Sequence, residues 1–278
     1  MKIEEIVAHA LKEDIGDGDH TSLATIPEDA RGKAVLIAKD EGILAGISVA
    51  QEVFRQVDPL IKTDIFIDDG KLIKKGDKIF IISGKARSLL TAERTALNFL
   101  QRMSGIATFT NALAGEIDGL NTKLLDTRKT TACNRTVEKL AVKLGGGYNH
   151  RFGLYDMIMI KDNHVDFAGG IQNAIETTRT YLKASKKDLK IEIEVRNFEE
   201  LNEVLRIGKI DRIMLDNFTP GDLKKAIKII DYTYETEASG NISFNNIRAY
   251  AETGVDFISV GALTHQLKSL DLSLKAIK

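Results

Sequence analysis

The sequence has few of the residues that build disulfide scaffolds, metal clusters and stacking platforms. It contains one cysteine, no tryptophan, three prolines and 6% aromatic residues. A single cysteine, Cys133, cannot form an intrachain disulfide or a cysteine-based zinc site. We interpret it as a small packed residue near a helix start rather than as a nucleophile. The shortage of aromatic side chains argues against a protein that binds carbohydrate or single-stranded nucleic acid by stacking.

An excess of charge of one sign is also missing. The chain has 39 Lys and Arg residues against 40 Asp and Glu residues, a formal net charge of −1. A protein that binds nucleic acid through bulk charge needs a basic excess, so we expect no nucleic-acid partner. No stretch approaches the roughly 18 apolar residues of a membrane span, and the first residues lack the apolar core of a signal peptide. We therefore expect a cytoplasmic protein without membrane association.

Residues 1–108 predict a small α/β sandwich domain. Four short runs rich in Ile and Val predict strands, and helices are predicted at 47–57 and at 88–105, the second carrying Arg94. The acidic loop at 13–22 alternates Asp and Gly, but it lacks a Glu at the spacing of an EF-hand, so we expect a structural turn there.

After residue 120 the sequence alternates between strand-like and helix-like runs. Glu194, Asp216, Glu237 and Ser259 follow one another at steps of 22, 21 and 22 residues. One strand and one helix per step predict a parallel sheet, and right-handed crossovers curve such a sheet into a barrel. Residues 109–264 are therefore predicted to form a barrel-like α/β array.

Polar residues gather where each predicted strand ends. The ends carry Asp126-Thr127-Arg128-Lys129, Lys161-Asp162-Asn163-His164, Glu194 with Arg196, Asp216-Asn217, Glu237 with Ser239-Gly240-Asn241, and Gly261. The C-terminal ends of parallel strands converge on one mouth of a barrel. Crowded ionised groups are costly unless they are paired or used, so we favour a functional site over a structural network of salt bridges.

The stretch 128–155 predicts an anion site. It places six Lys or Arg residues against one acid, Glu138, and its glycine-rich segment 145–147 leads to His150 and Arg151. Arginine offers a planar fork that matches a carboxylate, whereas lysine is a point charge suited to phosphate. Together with Lys161, these cations suit a substrate that carries carboxylate and phosphate groups.

The remaining strand ends predict two further subsites. Glu194 and Asp216 suit a hydrated Mg²⁺ ion or sugar hydroxyls, with general acid–base catalysis as an alternative use. The last two ends are small and polar, and barrels often bind phosphate there through backbone N–H groups. These ends are Ser239-Gly240-Asn241 and Val260-Gly261-Ala262.

Several of these motifs, taken in order, resemble the quinolinate phosphoribosyltransferase family, also called carboxylating nicotinate-nucleotide pyrophosphorylases. The similar runs are Glu13–Asp19, Glu93–Asn98, Asp126–Thr130, Gly145–Gly147 with His150 and Arg151, Ile160–His164, Leu215–Phe218 and Gly261–His265. The run Glu237-Ala238-Ser239-Gly240-Asn241 departs from the usual Glu-Ser-Ser-Gly-Gly of the family. Asn tolerates a positive φ almost as Gly does, so we expect the loop to keep its shape.

The resemblance implies a homodimer, or a hexamer built from dimers, in which the first domain of one subunit covers the barrel mouth of its partner. Residues 109–264 would form an incomplete TIM-like α/β barrel of six or seven strands after the N-terminal α/β sandwich, and residues 265–278 would pack back on the first domain. The resemblance further implies that Arg94 of one subunit joins Arg128, His150 and Arg151 of the other around the quinolinate carboxylates. It places Lys129 and Lys161 near the reaction centre, Glu194 and Asp216 on Mg²⁺ and the ribose, and Thr127, Ser239, Gly240, Asn241, Val260, Gly261 and Ala262 among the substrate-binding residues.

The resemblance implies phosphoribosyl transfer to quinolinate with decarboxylation, a step of NAD biosynthesis. Three alternatives stay open at this point. A paralogue of the family that is linked to molybdenum transport shares the fold and many motifs. A Schiff-base aldolase would use Lys161, and a nucleotide-binding module would bind without turnover.

Overall fold

The computed structural model describes residues 1–277, which form two compact units. Unit 1 contains Met1–Ala112, Lys129–Gly146 and the chain from Leu263 onward, and unit 2 contains Leu113–Arg128 and Gly147–Ala262. The domain limits expected near residues 108 and 264 stay a prediction, because compact units need not coincide with domains that fold independently. Within the described chain, no helix combines the length and the apolar character needed to cross a bilayer.

The helices and strands alternate along most of the chain. The helices are α1 (Ile3–Ile15), α2 (His20–Thr25), α3 (Ile47–Val57), α4 (Ala86–Glu116), α5 (Arg135–Leu144), α6 (Asp162–Ala168), α7 (Ile171–Ser185), α8 (Phe198–Ile207), α9 (Pro220–Ile230), α10 (Ile247–Ala251) and α11 (Ala262–His265). The strands are β1 (Arg31–Ala38), β2 (Gly42–Ile43), β3 (Lys62–Ile65), β4 (Leu72–Ile73), β5 (Lys78–Lys85), β6 (Lys123–Leu125), β7 (Ile158–Ile160), β8 (Ile191–Val195), β9 (Arg212–Asp216), β10 (Glu235–Ser239), β11 (Phe257–Ser259) and β12 (Leu272–Ile277).

Unit 1 contains a four-stranded antiparallel sheet in the order β12-β1-β5-β3. The last strand of the chain, β12, pairs along β1, with Ala38 opposite Leu272. The core of unit 1 includes Phe54 from α3 and Phe80 from β5, whose rings meet edge to face at 6.1 Å between centroids. Burial of such apolar side chains contributes most of the stability of the unit.

Unit 2 contains a six-stranded parallel sheet in the order β6-β11-β10-β9-β8-β7. From β7 onward, helices separate successive strands. Each parallel connection requires such a crossover, which explains the alternating sequence pattern. This architecture confirms the predicted fold class, an N-terminal α/β sandwich with an incomplete barrel, and it settles the number of barrel strands in the sheet at six.

Three local features differ from the sequence predictions. The long helix α4 does not end at Gly105 but continues to Glu116. The helix α2 begins inside the acidic segment that was expected to form a turn, and α6, which was not predicted, begins directly after Lys161. Cys133 is exposed and has a φ of 64°, so the expectation that it is packed was wrong.

The acidic loop at the N-terminus has a structural use. Asp14 accepts a hydrogen bond from Thr95 Oγ1, and Asp19 accepts one from Thr91 Oγ1, both at 3.0 Å. Asp19 also caps α2 by accepting the N–H of Ser22. Capping and side-chain hydrogen bonds of this kind hold the loop against α4.

Gly105 allows a close approach within unit 1 instead of ending the helix. A Cβ atom there would overlap the carbonyl oxygen of Lys268 and lie 3.0 Å from Cα of Ser269. We expect Gly105→Ala to lower the free energy of unfolding by about 2 kcal/mol or more, because backbone must move. Gly115→Ala in the same helix is the matched control. A Cβ at Gly115 meets nothing within 4 Å, so its better helix propensity should stabilise the protein by about 0.5–1 kcal/mol. Urea denaturation measures both, and shifts of the same sign would contradict this account.

Candidate active site

The inward faces of β8, β9 and β10 carry three predicted site residues to the same edge of the sheet. Ser239 pairs with Asp216 across β10 and β9, and Glu194 pairs with Met214 across β8 and β9. Residues two apart on a strand share a face, so Glu194, Asp216 and Ser239 belong to one surface near the strand ends. Asp216 is half-buried, and Glu194 is 8% exposed.

Lys161 joins this group from the end of β7. Its Nζ atom lies 2.9 Å from Glu194 Oε2. The backbone N–H of Lys161 donates to Nδ1 of His164, which fixes the turn from the strand into α6. The strand-end motif 161–164 therefore forms the start of a helix, with the ammonium group directed at the neighbouring carboxylate.

The guanidinium groups of Arg128 and Arg151 interact beside β6, the strand at the opposite end of the sheet from β7. Burial lowers the pKa of Arg151 below its ordinary value, and the positive charge of Arg128 lowers it further. Arg151 donates one hydrogen bond from Nη1 to the carbonyl of Met157 at 3.2 Å. Neighbouring cations with planar forks suit a carboxylate-bearing ligand, the role that the sequence predicts for them.

His150 does not direct its Nε2 atom toward the surface. That atom lies 3.1 Å from Glu192 Oε2 and 3.4 Å from Glu237 Oε2, and both glutamates are fully buried. Arg212 reaches the same carboxylates, at 3.1 Å from Glu237 and 3.9 Å from Glu192. We call His150, Glu192, Arg212 and Glu237 the buried cluster. The sequence predicted that His150 binds substrate, and it did not predict that the Nε2 atom of its ring would face these carboxylates.

The buried cluster shares a proton. Nδ1 of His150 accepts the backbone N–H of Arg151 at 2.6 Å, so Nε2 carries the ring proton that faces the carboxylates. Burial opposes ionisation of His150, but hydrogen bonds and charges from Glu192 and Glu237 raise its pKa to about 9. Burial and the charge of Glu237 raise the pKa of Glu192. A second proton on the ring would sit on Nδ1 and face the Arg151 N–H, so we place that proton on the Glu192 carboxylate, which shares it with His150.

Sequence reasoning missed Glu192 and Arg212 as members of a site. The signal that was available is the period of two, since Glu192 precedes Glu194 and Glu235 precedes Glu237 on the same faces. Arg212 begins β9 and was not among the predicted site residues. Alternation of this kind indicates that charged side chains continue along one face of a strand, away from the strand end as well as at it.

The buried cluster predicts a pH-dependent stability. The pKa of His150 in the folded protein, about 9, lies above its ordinary value of 6.5. The stabilisation is therefore complete below about pH 6.5 and is lost as the pH rises through 9, with a magnitude of about 3 kcal/mol. We expect the difference in free energy of unfolding between the wild type and His150→Gln to shrink across this range in urea titrations. A difference that stays constant would contradict it.

The last two strand ends form tight backbone turns. Gly240 has a φ of 96°, and Asn241 follows with a φ of 52°, as expected for the residue that replaces the usual glycine. A Cβ atom on Gly240 would overlap the side chain of Asn217, whose backbone N–H donates to the carbonyl of Ser239. Gly240 is therefore required by packing as well as by its φ value.

The other predicted binding residues lie at the ends of β6 and β11. Thr127 is half-buried two residues after β6, and Val260 is buried and donates its N–H to the carbonyl of Leu125. Gly261 follows directly, and Ala262 begins α11. The two strands are neighbours in the sheet, so these residues share its C-terminal edge.

Arg94 and Lys129 belong to unit 1 and are described within it. Arg94 is exposed on α4. Lys129 is also exposed, and its carbonyl accepts a hydrogen bond from Thr264 Oγ1 at 2.7 Å. The boundary between the units falls between Arg128 and Lys129, so the basic pair that looked like one feature in the sequence is divided.

The chain is similar to known proteins over nearly its whole length. Models of the N-terminal and C-terminal domains of quinolinate phosphoribosyl transferase match residues 19–104 and 106–275. The chain is 46% identical to the chloroplastic nicotinate-nucleotide pyrophosphorylase [carboxylating] of Oryza sativa, over 98% of this chain and 77% of that protein. Among solved structures, the nicotinate-nucleotide pyrophosphorylase of Francisella tularensis is 43% identical with a TM-score of 0.92, covering 99% of this chain and 96% of that chain. NadC of Streptococcus pyogenes is 40% identical with a TM-score of 0.93, covering 99% and 97%.

Proposed function

The chain belongs to the quinolinate phosphoribosyltransferase family, and on this premise we propose how its strand-end residues transfer a phosphoribosyl group to quinolinate. The products are nicotinate mononucleotide, diphosphate and CO₂, and the reaction is a step of NAD biosynthesis. The enzyme is a carboxylating nicotinate-nucleotide diphosphorylase, a transferase of the pentosyl class.

The neighbouring guanidinium groups of Arg128 and Arg151 carry this proposal most directly. Arg151 is half-buried, and its burial and then the positive charge of Arg128 lower its pKa, so the two cations lie close enough to act on one ligand. Quinolinate carries two carboxylates on adjacent ring atoms, and two forked cations match such a dianion. Binding of a dianion would offset the repulsion between these two cations. The site would therefore favour a doubly charged ligand over water.

Positioning and charge stabilisation account for the chemistry. The ring nitrogen attacks the anomeric carbon while the bond to diphosphate breaks, and the sugar passes through an oxocarbenium-like state. Lys129 and Lys161 supply positive charge for the leaving diphosphate. The carboxylate beside the nitrogen then departs as CO₂. Its electron pair stays on the ring carbon, stabilised by the adjacent pyridinium charge, and that carbon takes a proton from solvent.

Glu194 and Asp216 fit a Mg²⁺ site shared with the substrate. They are two carboxylates on one surface at the ends of adjacent strands, and Mg²⁺ is commonly bound by one or two carboxylates plus water and substrate phosphates. Bound there, the ion would neutralise charge on the diphosphate. Glu194 is also ion-paired with Lys161. The same carboxylate would therefore orient both the Mg²⁺ ion and the Lys161 ammonium group toward the diphosphate.

Backbone turns at the last two strand ends would bind the 5′-phosphate. Ser239 supplies a hydroxyl, and the left-handed backbone at Gly240 and Asn241 brings successive N–H groups close to one point. Concave arrangements of this kind bind anions without a positive side chain. Gly261, on the neighbouring strand end, leaves room for the same phosphate.

The proposed assembly is a cytoplasmic homodimer, or a hexamer of such dimers, in which Arg94 reaches the substrate of the partner subunit. Arg94 is exposed on α4, and Leu90, one turn earlier, exposes 46% of its surface. An exposed leucine beside an exposed arginine suits a surface that a second subunit covers. The partner would then supply the third guanidinium to a site that already holds two.

The aldolase alternative requires a neutral lysine amine at Lys161. Lys161 is instead paired with the carboxylate of Glu194 at 2.9 Å, and the aldolase also leaves Arg128 and Arg151 without a role. The molybdenum-linked paralogue and the nucleotide-binding module predict no turnover of quinolinate.

Product analysis tests the reaction. Purified protein with quinolinate, phosphoribosyl diphosphate and Mg²⁺ should form nicotinate mononucleotide and CO₂ in equal amounts. Removal of divalent metal with EDTA should stop turnover, and added Mg²⁺ should restore it. Absence of product at saturating substrate would overturn the function, whereas turnover that resists EDTA would overturn only the metal requirement.

A further inference from the structure

We propose that Glu192, Arg212 and Glu237 are positioning residues that act through His150 to hold Arg151 for the quinolinate carboxylates. This inference rests on the proposed function and adds to it a set of residues that never touch the substrate. The buried cluster then has a purpose that explains its cost, because several ionisable groups inside a barrel are rarely retained for stability alone.

The backbone that leads to Arg151 is fixed on one side by β6. The N–H of Tyr148 donates to the carbonyl of Leu124 at 2.8 Å, and the N–H of Asp126 donates to the carbonyl of Tyr148 at 3.0 Å. The N–H of His150 then donates to the side chain of Asp126 at 2.9 Å. Residues 148–150 thus extend the parallel sheet beyond β6, with Leu125 and Tyr148 forming a parallel bridge.

The ring of His150 fixes the next residue. The backbone N–H of Arg151 donates to Nδ1 of that ring, while Nε2 on the far side of the ring faces Glu192 and Glu237. A rotation of the ring would break contacts on both sides together. The imidazole therefore links the backbone at Arg151 to β8 and β10.

The two carboxylates are themselves held in place. Arg212 on β9 lies between them in the sheet and bonds Glu237 through Nη1 at 3.1 Å. Its Nη2 atom bonds Glu235 at 3.1 Å, and its guanidinium carbon lies 3.9 Å from the ring centre of Phe257 on β11. The contacts of the cluster therefore span β8, β9, β10 and β11, which gives the imidazole a rigid support.

The same geometry weighs against two other uses of the cluster. A direct substrate contact by Glu192 or Glu237 is excluded, because both are fully buried. His150, Glu192 and Glu237 offer three ligand atoms within 4.8 Å of one another, a spacing that suits a metal ion. The guanidinium of Arg212 already supplies the positive charge beside these carboxylates, which makes a metal there redundant and repelled.

Isosteric substitutions test the positioning role. We expect Glu192→Gln and Glu237→Gln each to raise the KM for quinolinate about 10-fold, because a loosened Arg151 loses aligned hydrogen bonds worth roughly that factor. The KM for phosphoribosyl diphosphate should stay within about twofold, since its groups bind at other strand ends. The matched control is Glu199→Gln. Glu199 is an exposed carboxylate in the first turn of α8 and is not a member of the buried cluster, so this variant should leave both KM values unchanged.

A double-variant cycle separates action through His150 from independent effects. If the carboxylates act through the ring, His150→Gln combined with Glu192→Gln should cost no more in quinolinate KM than the worse single variant. Effects that multiply, or equal losses for both substrates, would overturn the proposal. Inactive wild-type enzyme would instead overturn the proposed function, so the two failures are distinguishable.

The wild-type protein supplies a test that does not depend on folding of the variants. Nitrogen-15 spectra of the imidazole rings, assigned by replacing the other four histidines one at a time, should show His150 protonated on Nε2 and protected from exchange. A ring protonated only on Nδ1 would overturn the proposal. So would about one equivalent of zinc, manganese or iron in the purified protein, since the cluster would then be a metal site.

Discussion

Replacing Arg128 with alanine is expected to weaken quinolinate binding about 100-fold and to leave binding of phosphoribosyl diphosphate nearly unchanged. Loss of one partner of a charge-assisted contact costs about 2–5 kcal/mol, which corresponds to this range. Arg128 lies close enough to Arg151 for its charge, after burial, to lower the pKa of that guanidinium, so the two cations can contact one dianion. Calorimetric titration with each substrate separately measures the two affinities. Equal losses would refute the assignment of Arg128 to the carboxylates.

Two companion variants sharpen this result. Arg128→Lys keeps the charge but loses the planar fork, so its loss of affinity should fall between those of the wild type and Arg128→Ala. Arg179→Ala removes an exposed arginine of the same unit that donates to the carbonyl of Lys209, and it should leave both affinities unchanged. Losses in all three variants would point to general electrostatic attraction instead of a local clamp.

Residues at the strand ends could be predicted because topology decides their place. Asp216 and Ser239 end neighbouring strands, and the ends of parallel strands share one edge whatever the details of packing. The direction of a side chain within that edge is different. His150 reads as a surface residue after three glycines, yet its ring faces Glu192 and Glu237, which lie 42 and 87 residues further along the chain. No local pattern encodes such a contact.

Two helices show a similar limit at shorter range. The motif at Lys161 was predicted only as the end of a strand, but the N–H of Lys161 bonds to His164 and α6 begins at once. Gly105 was read as a helix end, yet its lack of a side chain serves the approach of residues 268–269, which are distant in sequence. In both cases the residue type was recognised, and a tertiary contact decided how it was used.

A mixture of two inactive variants should recover activity if the active site is shared between subunits. Arg94→Ala and Lys129→Ala are each expected to lose at least about 100-fold in kcat/KM, since each removes a cation from the anion-binding site. In a mixed dimer, one site combines Lys129 of one chain with Arg94 of the other and is complete, while the second site lacks both. With free exchange half of the dimers are mixed, so about one quarter of the wild-type activity should return.

The matched control decides what recovery means. The control mixture combines Arg128→Ala with Lys129→Ala, two cations that one chain supplies to the same site. In every dimer each site then lacks either Arg128 or Lys129, so this mixture should stay inactive. Subunit exchange is followed with two affinity tags in both mixtures. Recovery in both would indicate nonspecific stabilisation by mixing, and recovery in neither, with exchange shown, would place Arg94 outside the partner's site. Recovery in the first alone requires Arg94 to act in trans, because no other arrangement returns a complete set of cations to one barrel mouth.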